Sequence, residues 1–219
     1  MVVQDKKLNE IATREIAFQM EKDRIIDQAA NLFAQRRYDQ VTLDELTQIL
    51  GIGKGTLYRY FTNKEQLYAE ILDIGHQKLM EILNGVKDRE DMNPLEKLYE
   101  MSFSMAHFIR LHLDIYKVMA IEEPKERQCS TEKVQQYRKE RIQMISDVVQ
   151  EGRLLNYFRQ DIDITLFSQS LMGSLWVEAI FPLGAVEKDG RLILRIEEIL
   201  FMFLKGVGTN QNFFKGRMI

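Results

Sequence analysis

The stretch from Thr42 to Lys64, TLDELTQILGIGKGTLYRYFTNK, decides the fold predicted for this chain. Its apolar residues recur at helical spacing on both sides of Gly51, which predicts two short helices joined by a glycine turn. Residues 51–64 carry three basic side chains, four hydroxyl side chains and no acidic one. Because the whole chain has a formal net charge of −3, this local excess of phosphate-binding groups predicts a specific partner, double-stranded DNA.

The composition predicts a soluble, helical protein of the cytoplasm. Of the 219 residues, 45% are hydrophobic, 29% are charged and only three are proline, a mixture that favours helices. No apolar run approaches the roughly 20 residues that a membrane span needs, and the N-terminus lacks the apolar core of a signal peptide. The single cysteine, Cys129, excludes an internal disulfide and is expected to be a passive thiol.

Helical periodicity and capping residues continue along the rest of the chain. A first amphipathic helix is predicted over about residues 20–36, and Thr42 with Glu45 forms the pattern of a capping box at the start of the next. Thr62 or Asn63 caps a later helix, as do Asn93 before Pro94, and Asp163. No segment has the pattern of a sheet, so the fold class predicted is all-α, with about nine helices.

The run from Gly53 to Phe61, GKGTLYRYF, followed by Lys64-Glu65-Gln66-Leu67, resembles the N-terminal domain of the tetracycline-repressor (TetR/AcrR) family of transcription regulators. The resemblance covers about 48 residues, and Leu46-Thr47 is a departure from its usual pattern. It implies a three-helix helix-turn-helix domain over residues 1–68 and a larger helical domain for ligand binding and dimerisation over 69–219. The implied function is a dimeric, sequence-specific repressor, released from a palindromic operator by a small apolar effector.

The same resemblance implies eight DNA-binding residues. Four are expected on phosphates: Thr42, Tyr58, Tyr60 and Lys64. Four are expected nearest the base edges: Lys54, Gly55, Thr56 and Arg59. The alternative is that Tyr58 and Phe61 belong to the core and that Lys54 is an ordinary solvated side chain. The flanking helices and caps favour DNA binding.

The middle helices are rich in methionine and aromatic residues, which suit a pocket for apolar ligands. Glu100, Ser104 and His107 share one helical face and offer polar contacts. The predicted ligand-binding residues are Phe103, Ser104, His107, Phe108, Tyr116, Met119, Met172 and Trp176. The alternative is that these side chains simply form a core.

The last two predicted helices, which start at Asp163 and at about residue 191, are expected to join two copies as a homodimer. Small residues such as Gly173 and Ser174 would allow close approach of a second helix. The alternative is that both helices only close the core of the monomer. Two other questions stay open: whether residues 1–19 form a basic arm or a plain helical extension, and whether the protein binds DNA without sequence preference.

Enzymatic and metal-dependent functions are not expected. His107 and His112 are five residues apart, the wrong spacing for one helical face, so no metal site is predicted. The chain has no nucleophile–base set, phosphate loop or dinucleotide-binding motif, so no cofactor is predicted. The remaining alternative is a helical enzyme or small-molecule-binding protein without specific DNA binding.

Overall fold

The computed structural model describes residues 2–122, 131–180 and 191–208, which form nine α-helices and one short 3₁₀ helix, Tyr38–Gln40. The helices are α1 (Val2–Gln35), α2 (Leu43–Leu50), α3 (Lys54–Tyr58), α4 (Lys64–Lys87), α5 (Pro94–Leu111), α6 (Leu113–Glu122), α7 (Thr131–Leu154), α8 (Ile164–Ile180) and α9 (Arg191–Val207). The prediction of an all-α protein is confirmed. Cys129 lies outside the described residues.

Helix α1 is about twice as long as its apolar periodicity predicted. It begins at Val2, so residues 2–19 form a helical extension, and whether they also act as a basic arm on DNA stays a prediction. Ile25, Ala29 and Phe33 face the core, where α1 packs against α4 and α6. Phe18, in the extension, stacks on Tyr60 with ring centroids 4.4 Å apart.

Helices α2 and α3 form the helix-turn-helix. The Thr42 hydroxyl accepts a hydrogen bond from the Glu45 amide at 3.2 Å, as a helix cap should. The second half of the predicted capping box is wrong, because the Glu45 carboxylate accepts a hydrogen bond from Arg36 at 2.6 Å instead. Gly51 ends α2 with φ of +65°, a left-handed conformation that glycine adopts without steric cost.

Helix α4 joins the helix-turn-helix to the rest of the molecule without a linker. It starts at the Asn63 cap, whose side chain accepts from the Gln66 amide at 2.7 Å, and continues to Lys87. The predicted domain boundary after residue 68 therefore falls within a continuous helix. In the rest of the molecule, α5 packs against α4, α7 and α9, and α8 packs against α7 and α9.

Two helix caps and one backbone hydrogen bond between distant residues stabilise this larger bundle. Asn93 and Glu96 form a capping box at the start of α5, and Asp163 accepts from the Leu166 amide at 2.9 Å to cap α8, so both predicted caps are confirmed. The connection from α7 to α8 is tied to the end of α9, since the Arg159 amide donates to the Val207 carbonyl at 2.9 Å. No helix in the described ranges is long and apolar enough to cross a bilayer.

Candidate DNA-binding unit and ligand cavity

Helix α3 is held by one buried residue and presents its other side chains outward. Leu57 is completely buried, whereas Lys54, Tyr58 and Arg59 are exposed. A side chain at Gly55 would meet nothing within 4 Å, so this face of the helix is open. The structure thus places most of the predicted DNA-binding residues on one short helix and the turn that follows it. Their contacts with DNA remain a prediction.

Lys54, predicted to lie near base edges, forms an ion pair in the free protein. Its ammonium lies 2.6 Å from the Asp44 carboxylate of α2, and this hydrogen bond raises the pKa of Lys54. Both side chains are exposed, so the pair contributes little to stability. Asp44 precedes the acid-free stretch that indicated DNA binding, and the fold brings it back beside α3.

Lys64, predicted to bind phosphate, also has a structural role. Its ammonium donates to the carbonyls of Tyr38 at 2.9 Å and Val41 at 3.0 Å, and it lies 4.2 Å from the centre of the Tyr38 ring. These contacts attach the connection between α1 and α2 to the first turn of α4. An ammonium has three donors, so one remains for a phosphate.

Arg59 is exposed and, in contrast to Lys54 and Lys64, its side chain is not bound by a neighbouring group in the described ranges. Its backbone ends α3, and within the described ranges its guanidinium forms no ion pair or hydrogen bond. Tyr60 is half-buried against Phe18, which fixes its ring at the same surface. Arginine binds guanine edges through two parallel hydrogen bonds, so Arg59 can supply sequence recognition.

The larger bundle contains a cavity of about 180 Å³ between α4, α5, α6, α7 and α8. Its wall is mainly apolar, with three methionines and two aromatic side chains. None of the described residues that line it is acidic. The lining residues are Leu79, Met105, Tyr116, Met119, Ala120, Arg138, Arg141, Ile142, Gln169, Met172, Gly173 and Trp176.

Four of the predicted ligand-binding residues come together in this wall: Tyr116, Met119, Met172 and Trp176. The other four are on α5 and do not line the cavity. Phe103 and His107 are exposed, Ser104 is half-buried, and Phe108 is buried in the core. Because an α-helix turns about 100° per residue, Met105 faces the cavity while these neighbours point elsewhere. Ligand binding by any of the eight stays a prediction.

Sequence reasoning missed the buried arginine of the cavity, Arg141, which is only 5% exposed. Burial lowers the pKa of Arg141 to about 10, so the guanidinium is still protonated at neutral pH. A signal was present, because Val134 and Val148 lie seven residues to either side of Arg141 and are also buried. A charged residue in the middle of a stripe of buried helical positions indicates that its side chain interacts with a polar or charged group.

A polar cluster beside the cavity connects α4 to α7. The ring of His76 is buried, lies 2.9 Å from the Glu140 carboxylate through Nε2, and stacks on Tyr137 with centroids 3.6 Å apart. The Tyr137 hydroxyl donates to Asp73 at 2.6 Å, back on α4. Burial lowers the pKa of His76, which keeps the ring neutral in this environment. Across the described ranges, no cluster of three or more His, Cys, Asp or Glu side chains is arranged to hold a metal.

Comparison with known proteins agrees with this geometry. A sequence model described as "Bacterial regulatory proteins, tetR family" matches residues 25–71. The chain is 28% identical over 183 residues to the HTH-type transcriptional repressor KstR2 of Mycolicibacterium smegmatis, covering 80% of this chain and 87% of that one. It is also 28% identical over 99 residues to IcaR of Staphylococcus epidermidis, a negative transcriptional regulator of the biofilm operon icaADBC; that match covers 43% of this chain and 52% of IcaR.

A solved structure shares the fold over most of its length. The ketosteroid transcriptional regulator KstR2 of Mycobacterium tuberculosis superposes with a TM-score of 0.75 at 22% identity, covering 87% of this chain and 96% of that chain. The relatives are transcription regulators and not enzymes. The matched segment, residues 25–71, is therefore a helix-turn-helix domain of the TetR type, and over most of its length the chain is similar to TetR-family transcription regulators.

Proposed function

We propose that this chain is a cytoplasmic repressor that binds a palindromic operator as a homodimer and is released when a small apolar effector enters the cavity. The observation that carries the proposal is the continuity of α4. Its first residue, Lys64, holds the DNA-binding unit, and Leu79 of the same helix lines the cavity. A ligand that favours one position of α4 therefore also favours one position of the recognition helix.

Helix α6 provides a second connection between cavity and DNA-binding unit. Tyr116 and Met119 line the cavity, and the same helix packs along α1. The Asn31 side chain of α1 donates to the Asp114 carboxylate of α6 at 2.9 Å. An effector that displaces α6 would therefore shift α1 with it. Differential affinity of the effector for two positions of these helices is sufficient for release.

The proposed dimer surface lies on α8 and α9. Leu166, Ser170, Gly173 and Val177 share one face of α8, and Leu166 and Val177 are 61% and 48% exposed. Met202 on α9 is 71% exposed. Two helices from each copy would form a four-helix bundle that buries these side chains. Two recognition helices separated by about 34–36 Å then match successive major grooves.

Selection from a pool of random DNA duplexes tests this function. The full-length protein is expected to enrich one inverted repeat whose half-sites are about one helical turn apart. Enrichment of unrelated sequences to the same extent would contradict sequence-specific binding. Enrichment of a single half-site would contradict binding as a dimer.

The oligomeric state tests the dimer surface separately. Sedimentation equilibrium should report a dimer for the wild type and a monomer for Val177→Glu, because an unpaired carboxylate buried in the interface is costly. The matched control is Leu111→Glu at the end of α5, where the leucine is 60% exposed. Dissociation of the control to the same extent, or a dimer that survives Val177→Glu, would contradict the assignment.

A further inference from the structure

The N-terminal extension of α1 reaches the DNA-binding unit through one aromatic side chain. The Phe18 ring stacks on the Tyr60 ring, with centroids 4.4 Å apart and planes inclined by 30°. Phe18 lies before the segment of residues 25–71 that matches the TetR family. We propose that Phe18 is a positioning residue for DNA binding, which holds the Tyr60 ring so that its hydroxyl donates to a phosphate. The inference rests on the phosphate contact predicted for Tyr60.

The Tyr60 hydroxyl is available for such a contact. Among the described residues it forms no hydrogen bond, and its oxygen is open to solvent although the ring is half-buried. A phenol can donate one hydrogen bond to a phosphate oxygen. Contacts of this kind set the position of a protein on the duplex and carry no sequence information.

The backbone of Tyr60 is fixed by α3, but its ring needs a second support. The Tyr60 amide donates to the Leu57 carbonyl at 3.0 Å, and the next residue, Phe61, is only 1% exposed. These contacts determine where the Tyr60 side chain leaves the backbone, but not the rotamer that it adopts. The stacked Phe18 ring supplies that restriction, because it occupies the space that other rotamers of Tyr60 would enter.

Lys22 holds α1 in place one turn after Phe18. Its ammonium lies 2.6 Å from the Glu70 carboxylate of α4 and 6.0 Å from the centre of the Phe61 ring. Positions 18 and 22 share one face of the helix. Two neighbouring contacts therefore join this face of α1 to the turn after α3, and the one made by Phe18 falls on a predicted phosphate-binding residue.

A ring that is already ordered should increase the affinity for every DNA sequence alike. Immobilising a side chain on binding weakens affinity by roughly two- to ten-fold, and a side chain held beforehand avoids this loss. Because the expected contact is to phosphate, the gain is the same for operator and unrelated duplexes. Because the hydroxyl is uncharged, the salt dependence of binding should not change.

A double-mutant cycle tests the positioning role. Fluorescence anisotropy measures the affinity of the full-length protein for two labelled duplexes, the selected inverted repeat and a shuffled sequence of the same base composition. Tyr60→Phe removes the hydroxyl, keeps the stacked ring and should weaken binding to both duplexes about ten-fold. Phe18→Ala should weaken both about two- to ten-fold in the wild-type background and have little effect in the Tyr60→Phe background.

Two results of the cycle would overturn the proposal. An equal loss from Phe18→Ala in both backgrounds would mean that Phe18 acts on stability or contacts DNA itself. Wild-type affinity in either single variant would mean that the hydroxyl contact or its dependence on the stack is absent.

Further variants separate the stacked ring from other features of the extension. Met20→Ala truncates a side chain that is 68% exposed on the same helix, and it should bind DNA as the wild type does. Phe18→Tyr keeps a ring over Tyr60 and should retain wild-type affinity. Phe18→Leu keeps an apolar side chain without the ring and should lose affinity, which gives the cycle a second variant if Phe18→Ala is unstable. A loss in Met20→Ala equal to that in Phe18→Ala would overturn the assignment.

The two duplexes distinguish this inference from the proposed function. If the wild type prefers the inverted repeat but the cycle shows no coupling, sequence-specific repression stands and the role of Phe18 is overturned. If the cycle shows coupling while the wild type binds both duplexes equally, the role of Phe18 is supported and sequence-specific repression is contradicted.

Discussion

The DNA-binding unit and the ligand cavity differ in how far apart in sequence their residues lie. The unit predicted to contact DNA is a continuous stretch from Thr42 to Lys64, with its own caps, turn and buried anchor. The cavity is lined by five helices whose contributing residues extend from Leu79 to Trp176. The first can therefore be identified from local spacing alone, whereas the second exists only after distant helices have packed.

Two glycines show the same contrast. Gly51 is required by its own backbone, since its φ is +65° while an added Cβ would meet no atom within 4 Å. Gly75 on α4 is required by its neighbours: an added Cβ would lie 2.5 Å from Met119 Sδ and 2.6 Å from Ile115 Cγ2. Both neighbours are on α6, so the absence of a side chain at residue 75 allows α4 and α6 to pack closely beside the cavity.

The largest expected effect comes from filling that close contact. Gly75→Ala should lower the free energy of unfolding by about 1–3 kcal/mol, because Met119 and Ile115 must move. It should also weaken the binding of a small apolar ligand in the cavity, since Met119 lines it. Urea denaturation and Trp176 fluorescence measure the two effects.

The matched control lies on the same helix. An added side chain at Gly85 meets nothing within 4 Å, so Gly85→Ala should raise the free energy of unfolding by about 0.5–1 kcal/mol. If both variants shift the denaturation midpoint in the same direction, the close contact between α4 and α6 is not what constrains Gly75.

The next prediction concerns the stretch from Thr42 to Lys64. Arg59→Ala should reduce discrimination between the operator and a duplex mutated in its half-sites by about 1–3 kcal/mol, because the exposed guanidinium predicted to read base edges is lost. Lys139→Ala removes one exposed positive charge from α7 and should leave discrimination unchanged. Unchanged sequence preference in Arg59→Ala would exclude base contact by this residue.

A smaller effect is expected from the acid beside the recognition helix. Asp44→Asn removes the carboxylate that pairs with Lys54 and so makes the DNA-facing surface more positive. Affinity should rise a few-fold for operator and unrelated duplexes alike, with a salt dependence steeper by up to about one unit of slope. Fluorescence anisotropy at several salt concentrations measures both quantities. A fall in affinity would show that Asp44 has a positive role in DNA binding.

The smallest effect concerns pH. Burial lowers the pKa of His76, so the folded state resists a proton that the unfolded state accepts near the usual value of about 6.5. Stability should therefore fall as pH decreases through about 6.5, and His76→Gln should flatten this decrease. The pKa of neighbouring Glu140 is lowered, mainly by its hydrogen bond to Gln136, so that carboxylate stays ionised in this range.

Exposed His107 is the control for the pH effect. Denaturation of His107→Gln at pH 7 and pH 5.5 should give the same difference in stability as the wild type. If His76→Gln also retains the full wild-type difference, the acid sensitivity originates at another group.

Sequence reasoning succeeded where the determinants were local. The caps at Thr42, Asn93 and Asp163 and the glycine at the end of α2 involve residues at most four positions apart, and each was predicted. The second half of the Thr42 capping box failed because Arg36, from the end of the preceding segment, takes the Glu45 carboxylate. The extension of α1 stayed one of two alternatives because residues 2–19 lack the apolar stripe that marked its second half.

The cavity was predicted only in part, for a physical reason. Composition indicated methionine and aromatic residues in the middle helices, but which face of each helix turns inward depends on contacts with the other helices. Phe103 and His107 therefore lie on the exposed face of α5, while Met105 reaches the cavity. The pairing of Lys54 with Asp44 was missed in the same way, since it joins two helices across a turn.

The ratio of affinities for two duplexes tests the central claim most directly, namely that the stretch from Thr42 to Lys64 recognises DNA sequence. One duplex carries the selected inverted repeat, and the other has the same base composition in shuffled order; both are measured at one salt concentration with the full-length protein. We predict that the inverted repeat binds about a thousand-fold more tightly, or more. Equal affinity for the two duplexes would contradict it.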